Sequence, residues 1–157
     1  LKSKSCRNAQ GPNSDQNDGQ GCFSAHRTRE ARALTRWLSD LSTTDHLAGT
    51  LIAGDLNSYA RETPLETFYA AGFISLLHHA HPCRPGDCPY HSYRYRGEKG
   101  SLDYALANKA LMPHVSGVYI WNINADEPRA LGYQSAPELN GPWRASDHNP
   151  VITDLRL

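Results

Sequence analysis

The sequence predicts an α/β domain. Three observations carry that reading: a long N-terminal run with helical apolar spacing, several strand-length apolar runs after it, and polar, chemistry-bearing residues where those runs end. At 157 residues the chain is long enough for one domain with a real core.

Taken in order, residues 1–4 read as the end of a strand. Residues 8–21 form a polar, Gly-rich loop between Cys6 and Cys22. Asn13, Asp15, Asn17 and Asp18 give it the composition of a calcium loop, but the glycine falls one place late for the EF-hand pattern. A solvated loop pinned by a disulfide is the plainer reading. Residues 27–41 form the best helix, with Ala31, Leu34, Leu38 and Leu41 at helical spacing and Trp37 beside them. Arg27, Arg29, Glu30, Arg32 and Arg36 fill the other faces and read as solvated charges. Residues 50–53 are a short buried strand ending in Gly54. Pro64 opens a second helix carrying Leu65, Phe68 and Tyr69, and Gly72 closes it. Residues 91–95 alternate like a strand, Glu98-Lys99-Gly100 reads as a turn, and residues 101–107 as the next strand. Residues 115–123 form another, carrying Val115, Val118, Ile120 and Trp121. A Pro- and Gly-rich loop covers residues 126–145, and residues 151–157 make a final strand.

Sixteen basic residues balance 16 acidic ones, which argues against a tight, passive nucleic-acid binder but leaves a hydrolase open. No apolar run reaches membrane-spanning length. The four Cys fall into two local pairs. Cys6 and Cys22 bracket the first loop, and Cys83 and Cys88 bracket Arg84-Pro85-Gly86-Asp87. An even count in loops reads as two disulfides formed in an oxidising, extracellular setting. A zinc site from His81, Cys83, Cys88 and His91 is the competing arrangement, disfavoured because structural zinc sites more often use a tighter knuckle.

Three motifs carry candidate chemistry. In Gly54-Asp55-Leu56-Asn57, an extended chain would set Asp55 and Asn57 side by side while Leu56 packs inward. In Gly100-Ser101-Leu102-Asp103-Tyr104, a carboxylate interrupts a strand, where it is costly unless paired and where it would suit the orienting of a histidine. In Ser146-Asp147-His148-Asn149-Pro150-Val151, two active side chains sit at the entrance to the last strand. Each motif alone reads as turn chemistry; their combination in this order is what shifts the odds.

That combination resembles the endonuclease/exonuclease/phosphatase superfamily, the fold of pancreatic-type deoxyribonuclease. Leu1-Lys2-Ser3-Lys4 is similar to the tail of that family's N-H-L-K-S-K strand. Asp18-Gly19-Gln20-Gly21-Cys22, Asn57-Ser58-Tyr59-Ala60 and Trp121-Asn122-Ile123-Asn124-Ala125-Asp126-Glu127-Pro128 resemble its bacterial extracellular nuclease branch. The resemblance implies a deoxyribonuclease-like α/β/β/α sandwich. This chain, residues 1–157, would supply the C-terminal part of one such domain, with one mixed sheet, helices outside it and an inner face turned toward a second sheet.

It further implies a secreted, metal-dependent nuclease acting on DNA, with RNA as a second candidate substrate. Asp55 would lie near the attacking water and Asn57 would hold the scissile phosphate. Asp147 would ligate a divalent cation, Mg²⁺ or Mn²⁺ with Ca²⁺ as a further candidate. His148 would donate to a phosphate oxygen, and Tyr59 would contact the DNA backbone or pack. Asp103 would charge a catalytic His standing before Leu1, and a metal-binding Glu would also lie upstream. On that reading the chain alone is expected to be inactive until its N-terminal half joins it. Asn149 stands where the family often has another residue and is discounted because its neighbours carry the chemistry, while Asn124, Asp126 and Glu127 receive no role. A phosphatase acting on a lipid or sugar phosphate shares all three motifs. A non-catalytic binding module of the same fold would not need Asp55, Asn57, Asp103, Asp147 and His148 together.

Overall fold

The computed structural model describes residues 1–44, 47–84, 86–132 and 141–156. Residues 133–140, inside the expected 126–145 loop, lie outside that description, as do Pro85 of the second Cys loop and Leu157 of the last strand.

Two clusters of apolar side chains organise the chain around one strand. The elements run α1 (Ser24–Thr44), β1 (Leu51–Asp55), α2 (Thr63–Ala70), β2 (Phe73–Ser75), α3 (Leu76–Ala80), β3 (Tyr93–Tyr95), β4 (Glu98–Gly100), β5 (Asp103–Asn108), β6 (Val115–Ile120) and β7 (Val151–Leu155). Strand β5 is central, with β1 and β2 antiparallel on its two edges. Its side chains alternate between faces. Tyr104 and Leu106 join Ala31, Leu65, Phe68 and Phe73 under α1 and α2. Ala105 and Ala107 join Leu76, Leu77, Leu111 and Val118 on the other side. That double burial explains why the run reads as continuously apolar after Asp103.

The α/β class is as expected. The single mixed sheet is replaced, among the described residues, by three antiparallel sheets: β1-β5-β2, β3-β4 and β6-β7. A tight turn forces the strands it joins antiparallel, whereas β1, β2 and β6 meet their partners across long connections. The tight turn is that of the β3–β4 hairpin, the two residues Arg96-Gly97, both at positive φ (50° and 89°). Glu98-Lys99-Gly100 is therefore a strand rather than the expected turn. Residues 1–4 form no strand but lie beside β1, where the Leu1 amino group donates to the Asp55 carbonyl at 3.1 Å. The short elements β2 and α3 carry no periodicity long enough to find by eye.

Both cysteine pairs are disulfides, Cys6–Cys22 and Cys83–Cys88, which leaves no thiolate for the zinc alternative. In the first loop Asp15 and Asp18 each accept the backbone N–H two residues on, at 2.9 and 3.0 Å. The acidic residues that suggested a calcium loop are thus engaged in Asx turns.

Helix α1 buries a residue expected in solvent. Arg27 is fully buried, and its guanidinium donates to the Ser58 hydroxyl (2.9 Å), the Cys22 carbonyl (2.6 Å), the Gln20 carbonyl (2.9 Å) and the Glu62 carboxylate (3.2 Å). Lys4 pairs with the same carboxylate. Apolar periodicity cannot announce such a residue, because a fork with five donors satisfies itself only in three dimensions. Trp37, expected beside the apolar stripe, is exposed. No helix among the described residues is long and apolar enough to cross a membrane.

Candidate active site

Strand β1 delivers Asp55 at its C-terminal end, and the chain then turns. Gly54 takes φ 131°, a conformation L side chains rarely adopt. Leu56 packs inward at 5 % exposure, as expected. Asn57, however, is left-handed at φ 49°, so Asp55 and Asn57 do not continue one extended face. The Asp55 carboxylate instead accepts the Asn57 backbone N–H at 2.7 Å, and the Asn57 amide donates to the Leu1 carbonyl at 3.0 Å. Short polar side chains tolerate the left-handed region by bonding locally, which is why Asp and Asn occupy these two places.

Directly across the ladder from Asp55 stands Asp103, the first residue of β5. His148 comes in from the loop before β7, and its Nδ1 lies 2.6 Å from Asp103 Oδ2. This corrects the expectation that Asp103 serves a histidine upstream of Leu1: its partner is His148. Sequence separation concealed the pair, because 45 residues divide its members. Tyr93 of β3 stacks on the imidazole with ring centroids 4.5 Å apart.

Asp55, Asp103 and His148 each offer a ligand atom, all within 4.8 Å of one another. The electrostatics follow from that crowding. The hydrogen bond to Asp103 is the largest influence on His148 and holds its pKa above the ordinary value against burial, helped by the charges of Asp103, Asp55 and Asp147. Desolvation, reinforced by the nearby Asp103 charge, raises Asp55 above the usual carboxylate range, although the bond from Asn57 opposes this. The bond to Asp103 thus favours the charged form of His148, a donor suited to a phosphate oxygen, while burial disfavours the charged form of Asp55.

Asp147 is exposed and is not part of that trio. It lines an adjoining open groove of about 830 Å³ with Tyr93, Tyr95, Arg96, Arg129 and Arg144. Tyr59 packs so closely over Gly100 that a Cβ there would lie 2.5 Å from its ring, and the Lys4 ammonium lies over the ring at 4.6 Å from its centroid. Sequence reasoning missed Tyr93 and Ser92, singled out Asn124 without a role, and discounted Asn149. The signal for Ser92, Asn124 and Asn149 is the burial of polar groups, which appears only in the fold.

A search of curated proteins returns no match. The family model described as the endonuclease/exonuclease/phosphatase family matches residues 7–148, which span β1 and β5 and end on His148. The members of that family are hydrolases, generally dependent on a divalent metal, and this chain belongs to it.

Proposed function

We propose that the protein is an extracellular, divalent-cation-dependent nuclease that hydrolyses phosphodiester bonds of DNA, with RNA as the second substrate to compare. One observation carries this reading most: the Asp103–His148 pair at 2.6 Å, with Asp55 beside it, the pair lining a cavity of about 470 Å³ together with Gly54, Asn124 and Ser146. The two disulfides support an oxidising compartment.

The donor set suits a divalent cation in part. Asp55 and Asp103 supply carboxylate oxygens, the hard ligands that Mg²⁺, Mn²⁺ and Ca²⁺ take. Asp55 and Asp103 are the candidate ligands within that trio, and Asp147, which stands outside it, is proposed as a further ligand from the motif alone. Once bound, such an ion would stabilise charge on the phosphate. Three residues of this chain would act with it. His148, held by Asp103, would donate to a phosphate oxygen. Asn57 would orient the phosphate and Asp55 the attacking water, whose proton would pass to a base that this chain does not itself supply.

Plasmid relaxation in Mg²⁺, Mn²⁺ or Ca²⁺, run beside hydrolysis of a phosphomonoester, tests the proposal. Metal-dependent nicking with little monoester turnover is expected. The reverse preference would place the protein among the phosphatases of the family, and neither activity in the intact protein would favour a binding module.

A further inference from the structure

A buried polar cluster lies behind the Asp103–His148 pair and touches both of its members. Ser92 is fully buried, Asn149 is 1 % exposed and Asn124 is 5 % exposed. The Ser92 hydroxyl accepts the backbone N–H groups of Leu102 and Asp103, both at 3.0 Å. The Ser92 carbonyl accepts the Asn149 N–H at 2.7 Å. One residue therefore grips the strand that carries Asp103 and the segment that carries His148.

Asn149 completes the frame. Its side-chain oxygen accepts the N–H groups of Asn124 and Ala125 at 3.0 and 2.9 Å. Its amide donates to the His91 carbonyl and the Asn122 side chain, both at 3.1 Å. Asn124 in turn donates to the His148 carbonyl at 2.7 Å. Most of these bonds reach the main chain of another segment, and one joins the Asn149 and Asn122 side chains, so the frame has few ways to shift without leaving further buried polar groups unpaired. Such groups cost more when stranded than apolar ones, which makes the arrangement close to all-or-none.

We propose that Ser92 and Asn149 are positioning residues that fix the separation of Asp103 and His148, with Asn124 as the link to the His148 main chain. The alternative for each is a satisfied core polar group with no bearing on the site. The topology separates the two, because one bond runs to the main chain of Asp103, one to the main chain of His148, and Asn149, the next residue after His148, is held at both its backbone and its side chain. The discounted Asn149 is thereby accounted for: a residue with a branched apolar side chain could not bridge the two loops.

Ser92→Ala deletes two bonds without adding volume, and Ser92→Thr restores the hydroxyl. The first readout is the low-field proton resonance of His148 Nδ1, which reports the short bond to Asp103 whatever reaction the protein performs. In Ser92→Ala it should be lost or move upfield, and Ser92→Thr should recover it. Leu77→Ala, which loosens the second apolar cluster without touching the frame, should leave it in place. The kinetic readout rests on the nuclease proposal: kcat should fall about 10–100-fold in Ser92→Ala with KM unchanged. If Ser92→Ala does not fold, Asn124→Ala, which removes a single bond to the His148 carbonyl, carries the same test. A folded variant with the wild-type resonance overturns the inference. A wild-type protein that shows the resonance but hydrolyses no phosphodiester instead overturns the nuclease reading alone.

Discussion

Asp55 and Asp103 face each other across the β1–β5 ladder, two carboxylates at directly opposed positions. Like charges so placed destabilise a sheet. The structure offsets them with His148, whose imidazole bonds one carboxylate and lies among the ligand atoms of both. An arrangement that costs stability and gathers three titratable groups at one point has the character of a functional site.

Asp55→Asn should separate stability from activity. The amide can still accept the Asn57 N–H, so the turn persists, while the repulsion with Asp103 disappears. We expect a gain of about 0.2–1 kcal/mol in stability and a loss of turnover of roughly 10²-fold or more. Thermal unfolding and plasmid nicking on the same preparation would decide it; a variant both less stable and fully active would remove Asp55 from the site.

Asp103→Asn and His148→Ala should each cut turnover by about 10²–10⁴-fold and leave the circular dichroism spectrum unchanged. Asp103→Asn keeps the shape but withdraws the charge that favours imidazolium. Because the two act as a unit, the double variant should be little worse than either single one. Additive losses would mean that the pair does not work together.

The helices α1 and α2, the strand at β5 and the three motifs were legible because each is written in local spacing: a 3.6-residue period, a two-residue alternation, or adjacent polar residues at a strand end. What was not legible depends on contacts between distant segments. The His148 partner of Asp103 was assigned to a residue outside the chain, since nothing local distinguishes one histidine from another. Arg27 was read as solvated for the same reason: its four acceptors come from Gln20, Cys22, Ser58 and Glu62, and only folding brings them together. The β3–β4 hairpin was hidden by its turn at Arg96-Gly97, where an arginine takes the left-handed conformation that Asn or Gly usually fills.

Stability should depend on pH through His148. Its folded pKa is raised, chiefly by the bond to Asp103. The contribution is therefore complete below the unfolded value, roughly 6.5, and is lost as pH rises through the raised folded value. Denaturation of wild type and Asp103→Asn across pH 5.5 to 9 is the measurement, these limits being set about that ordinary value. The stability difference between the two should be largest at the acid end and shrink toward the alkaline end. A difference that grows with pH would show that His148 is neutral in the folded protein.

Opening the Cys6–Cys22 bridge should cost about 3 kcal/mol, the chain-entropy value for a loop of this size. Paired Cys→Ser substitution with urea denaturation would measure it. The Cys83–Cys88 bridge closes a far shorter loop, 5 residues apart in sequence, and its loss should matter less. Equal costs would point to contacts of the bridges themselves rather than to loop closure.

The buried charges beneath the Asp55–Asn57 turn make the last prediction, because one carboxylate there serves two cations. Glu62 is 4 % exposed and pairs with both Arg27 and Lys4. Burial lowers the pKa of each cation, so each depends on Glu62 to remain charged at little cost. Glu62→Gln would leave a fully buried guanidinium without its counter-charge and should destabilise by about 3–5 kcal/mol. Lys4→Met removes a partly exposed cation and keeps the Arg27–Glu62 pair, so its cost should stay near or below about 1 kcal/mol. Arg27→Lys should fall between them: an ammonium retains the charge but cannot reach the Gln20, Cys22, Ser58 and Glu62 acceptors together. Urea denaturation of the three variants ranks the costs, and the order Glu62→Gln, Arg27→Lys, Lys4→Met is the expected one. If Lys4→Met were the most damaging, the N-terminal segment rather than the buried guanidinium would be what holds the turn in place.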